Sequence, residues 1–327
     1  MPIVLEVHDL RVDYRDVRAK LKPALEGIGF ALQSGEVLGI LGESGCGKST
    51  LASAVIQLLA SGGSLRSGSV LYEGQEILSQ SNRQLEQIRG AEIAIVFQEA
   101  SLALHPTMRV GEQVARVIGA HTSLNRRARF DKARKVLSEV FTSDIDRIFS
   151  SYPHQLSGGQ RQRILIAQAI ACNPRILIAD EPTASLDTTT QAEILSLFAE
   201  LQRRHGMAII LITHNPAILA GLADRILVLY AGRVVEEGPA KDLLGSPRHP
   251  YLRDLLRSMN GSPEAAVLRH RMKLPAIAGA SPDLSLASSG CLFAPQCQDR
   301  MGECNRREPA IQRIDDGRTV ACFKYGG

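Results

Sequence analysis

The sequence predicts an α/β fold built on a mostly parallel sheet, and three observations carry that prediction. Short apolar, β-branched runs recur along the chain, helical patterns lie between them, and each run ends in polar or glycine-rich residues. The runs are VLGIL at 37–41, IAIVF at 93–97, ILIA at 176–179 and AIILI at 208–212, each the length of a buried strand. STLASAVIQLLA at 49–60, with Leu51, Val55, Leu58 and Leu59 on one face, and RQRILIAQAIA at 161–171 read as helices. In such sheets ligands bind beyond the carboxyl ends of the strands. The residues that follow the four runs are therefore expected to face one crevice: Gly42 onward, Gln98, Asp180 with Glu181, and Thr213 with His214.

A chain of 327 residues with 44% hydrophobic content can bury a substantial core. Its 38 basic against 34 acidic residues leave a net charge of +4, too small an excess to argue for a nucleic-acid partner. No apolar run reaches the length of a membrane span, and the opening MPIVLEVHDLRVDY lacks the basic flank and apolar block of a secretory signal. The expectation is a soluble chain in the cytosol.

The first strand runs into GESGCGKS at 42–49, which fits G-x-x-x-x-G-K-[ST] between a strand and a helix. In this pattern Gly42, Glu43, Ser44, Gly45, Cys46 and Gly47 wrap a polyphosphate with backbone N–H groups. The helix that opens at Lys48, Ser49 and Thr50 adds the favourable end of its dipole. Lys48 is expected to reach the β- and γ-phosphates and Ser49 to hold Mg²⁺, while Cys46 is a small spectator inside the loop.

RILIADE at 175–181 is an apolar strand that delivers Asp180 towards the metal and Glu181 towards an attacking water, as a general base would require. LSGGQRQR at 156–163 supplies a second anion-binding helix start in the same chain, from Ser157, Gly158, Gly159 and Gln160. One nucleotide does not need two such cradles from one subunit. The second is therefore expected to face a nucleotide held by another subunit.

Residues 232–262 close the sheet region with a turn, a short helix and an exit punctuated by Pro and Gly. From about residue 263 the chain is loop-rich, with Pro275, Pro282, Pro295 and Pro309, and reads as a small appended domain. It gathers Cys291, Cys297, Cys304 and Cys322, with gaps of five, six and seventeen residues. These are not the paired C-x-x-C spacings of zinc ribbons. In a cytosolic chain four thiolates suit Zn²⁺ or a [4Fe-4S] cluster, with disulfides and uninvolved thiols as further possibilities.

In the order phosphate loop at 42, Gln98, LSGGQ at 156, ILIADEP at 176, SLD at 185 and His214, the chain resembles an ATP-binding cassette (ABC) transporter ATPase over roughly residues 3–240. The resemblance implies a P-loop NTPase core with a mostly parallel sheet, an antiparallel β subdomain and a helical subdomain at about 100–170. It implies a head-to-tail sandwich of two such domains. Tyr14 would then stack on adenine, Gln98 would sense the γ-phosphate, Mg²⁺ and the membrane partner, Asp187 would contact across the dimer, and His214 would brace the γ-phosphate.

A narrower resemblance covers the remainder. YPHQLSGGQRQR, ADEPTASLDTTTQAEIL, YAGRVVEEG and SPRHPYLRDLL are similar to the oligopeptide/dipeptide importer subfamily, which includes nickel and opine importers. GCLFAPQCQDRMGEC followed by GRTVAC resembles that subfamily's C-terminal extension, which implies a [4Fe-4S] cluster. The domains would be 1–262, binding ATP, and 263–327, carrying the four cysteines. The implied role is the energy-coupling, ATP-hydrolysing subunit of an importer for di- or oligopeptides, with nickel or opines as the alternative solutes, at the cytoplasmic face of the membrane. It would be paired with a like or unlike second ATPase, two permease subunits and an extracytoplasmic solute-binding protein. A soluble ABC ATPase acting on ribosomes or DNA is the rival class, but one cassette and no heptad block speak against it. Two departures bear on coupling: EASLALHP follows Gln98 where the subfamily usually has an Asp-Pro pair and Asn-Pro, and Asn215 follows His214 where Asp is commoner.

Overall fold

Apolar runs that are buried on both faces become interior strands, and that is how the β-branched segments are used here. A computed structural model describes residues 1–15, 20–98, 103–259, 290–315 and 317–326. In chain order the strands are β1 (Ile3–Arg15), β2 (Leu21–Gln33), β3 (Val37–Leu41), β4 (Gly63–Tyr72), β5 (Gln75–Glu76) and β6 (Ile93–Val96). They continue with β7 (Ile176–Asp180), β8 (Ala208–Thr213), β9 (Arg225–Tyr230), β10 (Arg233–Pro239), β11 (Gln312–Asp315) and β12 (Arg318–Val320). Every residue of β3, β7 and β8 is buried.

The chain divides into two units, each with its own stretch of sheet. The first comprises residues 1–5, 32–37 and 71–212, the second residues 6–31, 38–70 and 213–327. In the first unit β6, β7 and β8 run parallel, with Ile93 opposite Ile176 and Asp180 opposite Ile212. Helices follow at Val110–His121, Arg126–Val140, Ile145–Ser150 and Gly158–Ile170, and Thr188–His205 lies between β7 and β8. The last of these buries Ile194, Leu197, Phe198 and Leu201, the i, i+3, i+4, i+7 stripe of a core-facing helix. It ends at Gly206 in the left-handed region, φ 64°, with Arg203, Arg204 and His205 in a last turn that favours positive charge. Gln113, 6% exposed, ties the 105–108 loop: its amide donates to the His105 and Met108 carbonyls and accepts the His105 N–H.

In the second unit β3 pairs parallel with β9, Leu41 opposite Val228, and β9 continues antiparallel into β10. The C-terminal segment adds two strands: β12 pairs with β10, Glu236 opposite Val320, and β11 pairs with β12. A buried ion pair fixes that junction. Arg318 Nη2 lies 3.1 Å from Glu236 Oε1, and Glu236 also accepts the Arg248 and His249 N–H groups, so the buried carboxylate is compensated on several sides. Composition predicts a loop-rich segment here, and the structure adds regular strands to it. Strands as short as β11 and β12 present no alternating run, and only their pairing with a distant strand makes them regular.

Two expectations along the chain are corrected. The helix placed at 49–60 spans Lys48–Val55; Gln57 takes a left-handed conformation, φ 52°, and Leu58, assigned to its buried face, is 45% exposed. The strand placed at 93–97 ends at Val96, and Phe97 is 48% exposed. Residues 263–289, the first part of the expected appended domain, and residues 99–102 of EASLALHP lie outside the described residues. Among the described residues no helix is long and apolar enough to cross a membrane.

Candidate active site

In the second unit the turn after β3 is narrow by construction. A Cβ on Gly42 would run into the Leu229 carbonyl oxygen and the Cys46 sulfur, so this position admits only glycine. Gly47 precedes the helix with φ 106°, a conformation that side chains rarely adopt, and a Cβ there would lie 2.8 Å from Leu25 and 2.9 Å from the Ala24 carbonyl. Lys48 is 6% exposed, and its ammonium donates to the Gly42 and Glu43 carbonyls, each at 2.8 Å. Ser44, Gly45 and Ser49 are exposed and Thr50 is half-buried. A glycine turn, a helix start and a lysine held at the turn make a cradle for an anion of phosphate type.

Cys46 is 2% exposed, and burial pushes its thiol above the ordinary range, which disfavours the thiolate. Its carbonyl accepts the Gly232 N–H at 2.9 Å. The loop has a further support that sequence reasoning missed: the Tyr251 hydroxyl accepts the Glu43 N–H at 3.0 Å. HPYLRDLL carried Tyr251 only as part of a resemblance, and no local pattern marks a tyrosine that acts across 208 positions. Tyr14, half-buried on β1, lies against Gly63, where a Cβ would come within 2.8 Å of its ring. His214, one residue past β8, is exposed, and Asn215 caps the short helix Pro216–Ala220 by accepting the Ala217 N–H.

In the first unit Asp180 ends β7 at 6% exposure and Glu181 follows at 8%. Glu181 has φ 48°, left-handed for a residue with a side chain, and its N–H donates to Ile212 at 3.0 Å. That strained turn fixes where the carboxylate leaves the strand. Gln98 is exposed beyond β6. Ser157 caps the helix Gly158–Ile170 reciprocally: its hydroxyl accepts the Gln160 N–H at 3.2 Å, and the Gln160 side chain accepts the Ser157 N–H at 3.1 Å. Asp187 caps Thr188–His205, accepting the Thr190 N–H at 3.0 Å and the Thr190 hydroxyl at 2.7 Å. Those bonds hold its carboxyl below the usual carboxylate range. Gly158 and Gly159 bring the two caps together, since Gly158 faces Leu186 and Gly159 faces Thr190.

Cys291, Cys297, Cys304 and Cys322 are free thiols that line one small cavity with His249, Phe293 and their neighbours. Burial, with the nearby Cys304 and Cys322, pushes the Cys291 thiol up to about 11. Four soft donors at one cavity match a thiophilic metal or cluster in chemistry. Among the described residues, however, no group of three or more His, Cys, Asp or Glu side chains is arranged to hold a metal ion.

A family model described as ABC transporter matches residues 25–184, and one described as oligopeptide/dipeptide transporter, C-terminal region, matches residues 235–304. The chain is 40% identical to the oligopeptide transport ATP-binding protein OppD of Salmonella typhimurium, over 98% of this chain and 94% of that one. It is also 40% identical to the dipeptide transport ATP-binding protein DppD of Haemophilus influenzae, again over 98% and 94%. Among solved structures it is similar to a dimeric post-hydrolysis state of the ATP-binding cassette MJ0796 bound to ADP and phosphate. That match has a TM-score of 0.64 and 28% identity, over 72% of this chain and 98% of that one. The cbiO1 subunit from Clostridium perfringens gives a TM-score of 0.63 at 29% identity, covering 83% and 100%.

Proposed function

The chain belongs to the ABC transporter ATP-binding proteins, in their oligopeptide/dipeptide branch, and from that premise we propose that it is the ATP-hydrolysing, energy-coupling subunit of a peptide importer. The observation that carries the nucleotide reading is Lys48. Its buried ammonium rests on two carbonyl oxygens, so its charge can pass to a phosphate without breaking an ion pair.

Residues 42–50 would hold the polyphosphate, with Ser49 and Gln98 towards Mg²⁺ and Asp180 supporting the metal. Bound Mg-ATP supplies the phosphoryl bond that is hydrolysed. Glu181 orients a water and takes its proton, His214 braces the terminal phosphate, and Tyr14 packs on the base. Ser157, Gly158, Gly159 and Gln160, with Asp187, serve the nucleotide of a second ATPase subunit, like or unlike this one. Two permease subunits carry the solute and an extracytoplasmic binding protein delivers it, with this chain at the cytoplasmic face. Residues 1–262 form the nucleotide-binding part and 263–327 the cysteine-rich part. There the four thiols would hold a [4Fe-4S] cluster, or Zn²⁺ in its place, as an element that orders the tail.

The test is Glu181→Gln, which keeps shape and removes the base. ATP binding should persist while hydrolysis falls by about two to four decades, and peptide uptake by the reconstituted transporter should stop with it. Near wild-type turnover would remove Glu181 from the mechanism.

A further inference from the structure

We propose that Tyr251 is a positioning residue for the phosphate loop, and that the cysteine-rich tail sets its position through Phe293. The proposal rests on the reading of residues 42–49 as the nucleotide-binding loop.

Glu43 is the peptide through which the loop can be steered. Its N–H is taken by the Tyr251 hydroxyl at 3.0 Å, and its carbonyl accepts the Lys48 ammonium at 2.8 Å and the Cys46 N–H at 3.3 Å. Tyr251 and Lys48 thus hold opposite ends of one residue, so displacing the hydroxyl turns the group that orients the lysine. Gly232 ties the far side of the turn through Cys46, which leaves Tyr251 to define the near side.

Tyr251 is in turn held by its neighbours. It is fully buried, and its N–H donates to His249 Nδ1 at 3.1 Å. Its ring stands 4.6 Å from that of Tyr230 and 5.7 Å from that of Phe293, measured between centroids. Phe293 also meets Tyr230 edge-on at 5.4 Å and His249 at 5.9 Å. It is the tail's wedge in this stack: 3% exposed and two residues after Cys291, whose N–H is bonded to the Cys304 carbonyl at 2.8 Å. Ordering of the cysteine segment is therefore transmitted as the placement of one ring, and from that ring as the placement of one hydroxyl. Burial keeps the phenol protonated, so it acts on the loop by hydrogen bonding and not by charge.

The experiment titrates the full-length chain with a fluorescent ATP analogue and Mg²⁺, and records thermal unfolding without nucleotide. Tyr251→Phe removes only the hydroxyl. It should weaken binding roughly three- to tenfold, the range for one neutral hydrogen bond, while the melting temperature hardly moves. In hydrolysis KM should rise with kcat held. Phe293→Leu should weaken binding in the same direction, and the double variant should be no weaker than the more affected single one, because both act through the same hydroxyl. Wild-type affinity in Tyr251→Phe overturns the positioning role, and multiplicative effects in the double variant overturn the link to the tail. Lys48→Ala separates the two readings. If the wild type binds and Lys48→Ala does not, the nucleotide loop stands and Tyr251 is judged on its own result; a wild-type chain that does not bind overturns both.

Discussion

Gly159 and Thr190 approach so closely that a Cβ on Gly159 would lie 2.5 Å from the Thr190 γ-methyl. Each belongs to the first turn of a helix, one capped by Ser157 and the other by Asp187, so the two capping segments meet at this contact. Thr190 cannot turn away cheaply, because it is β-branched and its hydroxyl is bonded to Asp187. Gly159→Ala should therefore cost about 1–3 kcal/mol, the usual range for overpacking. Thr190→Ser deletes the methyl and keeps the hydroxyl, so adding it should recover most of the loss in denaturant unfolding. A double variant no more stable than Gly159→Ala would show that the contact is not the cause.

The exposed, capped Ser157 lends itself to a test of subunit sharing. If it serves the nucleotide of another subunit, Ser157→Arg chains and Lys48→Ala chains should each be inactive alone. Mixed, they would assemble one doubly damaged site and one intact site, and part of the ATPase activity should return. Mixed dimers demonstrated by differential tagging but showing no activity would mean that each chain works alone or that both sites must act together.

Much of this arrangement is legible in the residues. VLGIL and ILIAD could be read as buried strands because a continuous β-branched run has few other uses, and the glycines at 42 and 47 stand where collisions with Leu229 and Leu25 require them. Structure that depends on a distant partner leaves no local pattern. Leu58 fits a helical stripe, but the left-handed Gln57 turns it outward. β12 is regular only because β10 offers it an edge, and Arg318 is buried only because Glu236 meets it. Tyr251 is illegible for the same reason: its partner Glu43 lies 208 positions away, and nothing local to the tyrosine marks its hydroxyl as an acceptor.

The cysteine cavity makes a prediction about metal content. If the four thiols hold a [4Fe-4S] cluster, as proposed, protein purified without oxygen should contain iron and acid-labile sulfide and absorb in the visible. One zinc per chain in a colourless protein would instead select the alternative, and four titratable thiols without metal would exclude both. Cys297→Ser should release the metal. The thermal unfolding midpoint should then fall, and ATP affinity should shift in the direction expected for Phe293→Leu.

His249 supplies the pH dependence. It is 2% exposed, and burial holds its imidazole down to about 4, against an ordinary 6.5, with only a backbone hydrogen bond at Ala321 pulling the other way. The folded chain keeps Nδ1 unprotonated as the acceptor for Tyr251 N–H, whereas the unfolded chain takes up a proton near 6.5. Between those two values the unfolded state binds more protons. Stability is therefore complete above pH 6.5, declines as pH falls through the window, and levels off below about 4. Fully developed, the loss amounts to about 3 kcal/mol. Carboxylates elsewhere titrate at the acid end, so the comparison that isolates His249 is His249→Gln, whose side-chain oxygen can still accept from Tyr251 but does not titrate. Denaturant unfolding at pH 7 and pH 5 should show a smaller difference for the variant than for the wild type. Equal differences would mean that the buried imidazole does not govern the acid sensitivity of the fold.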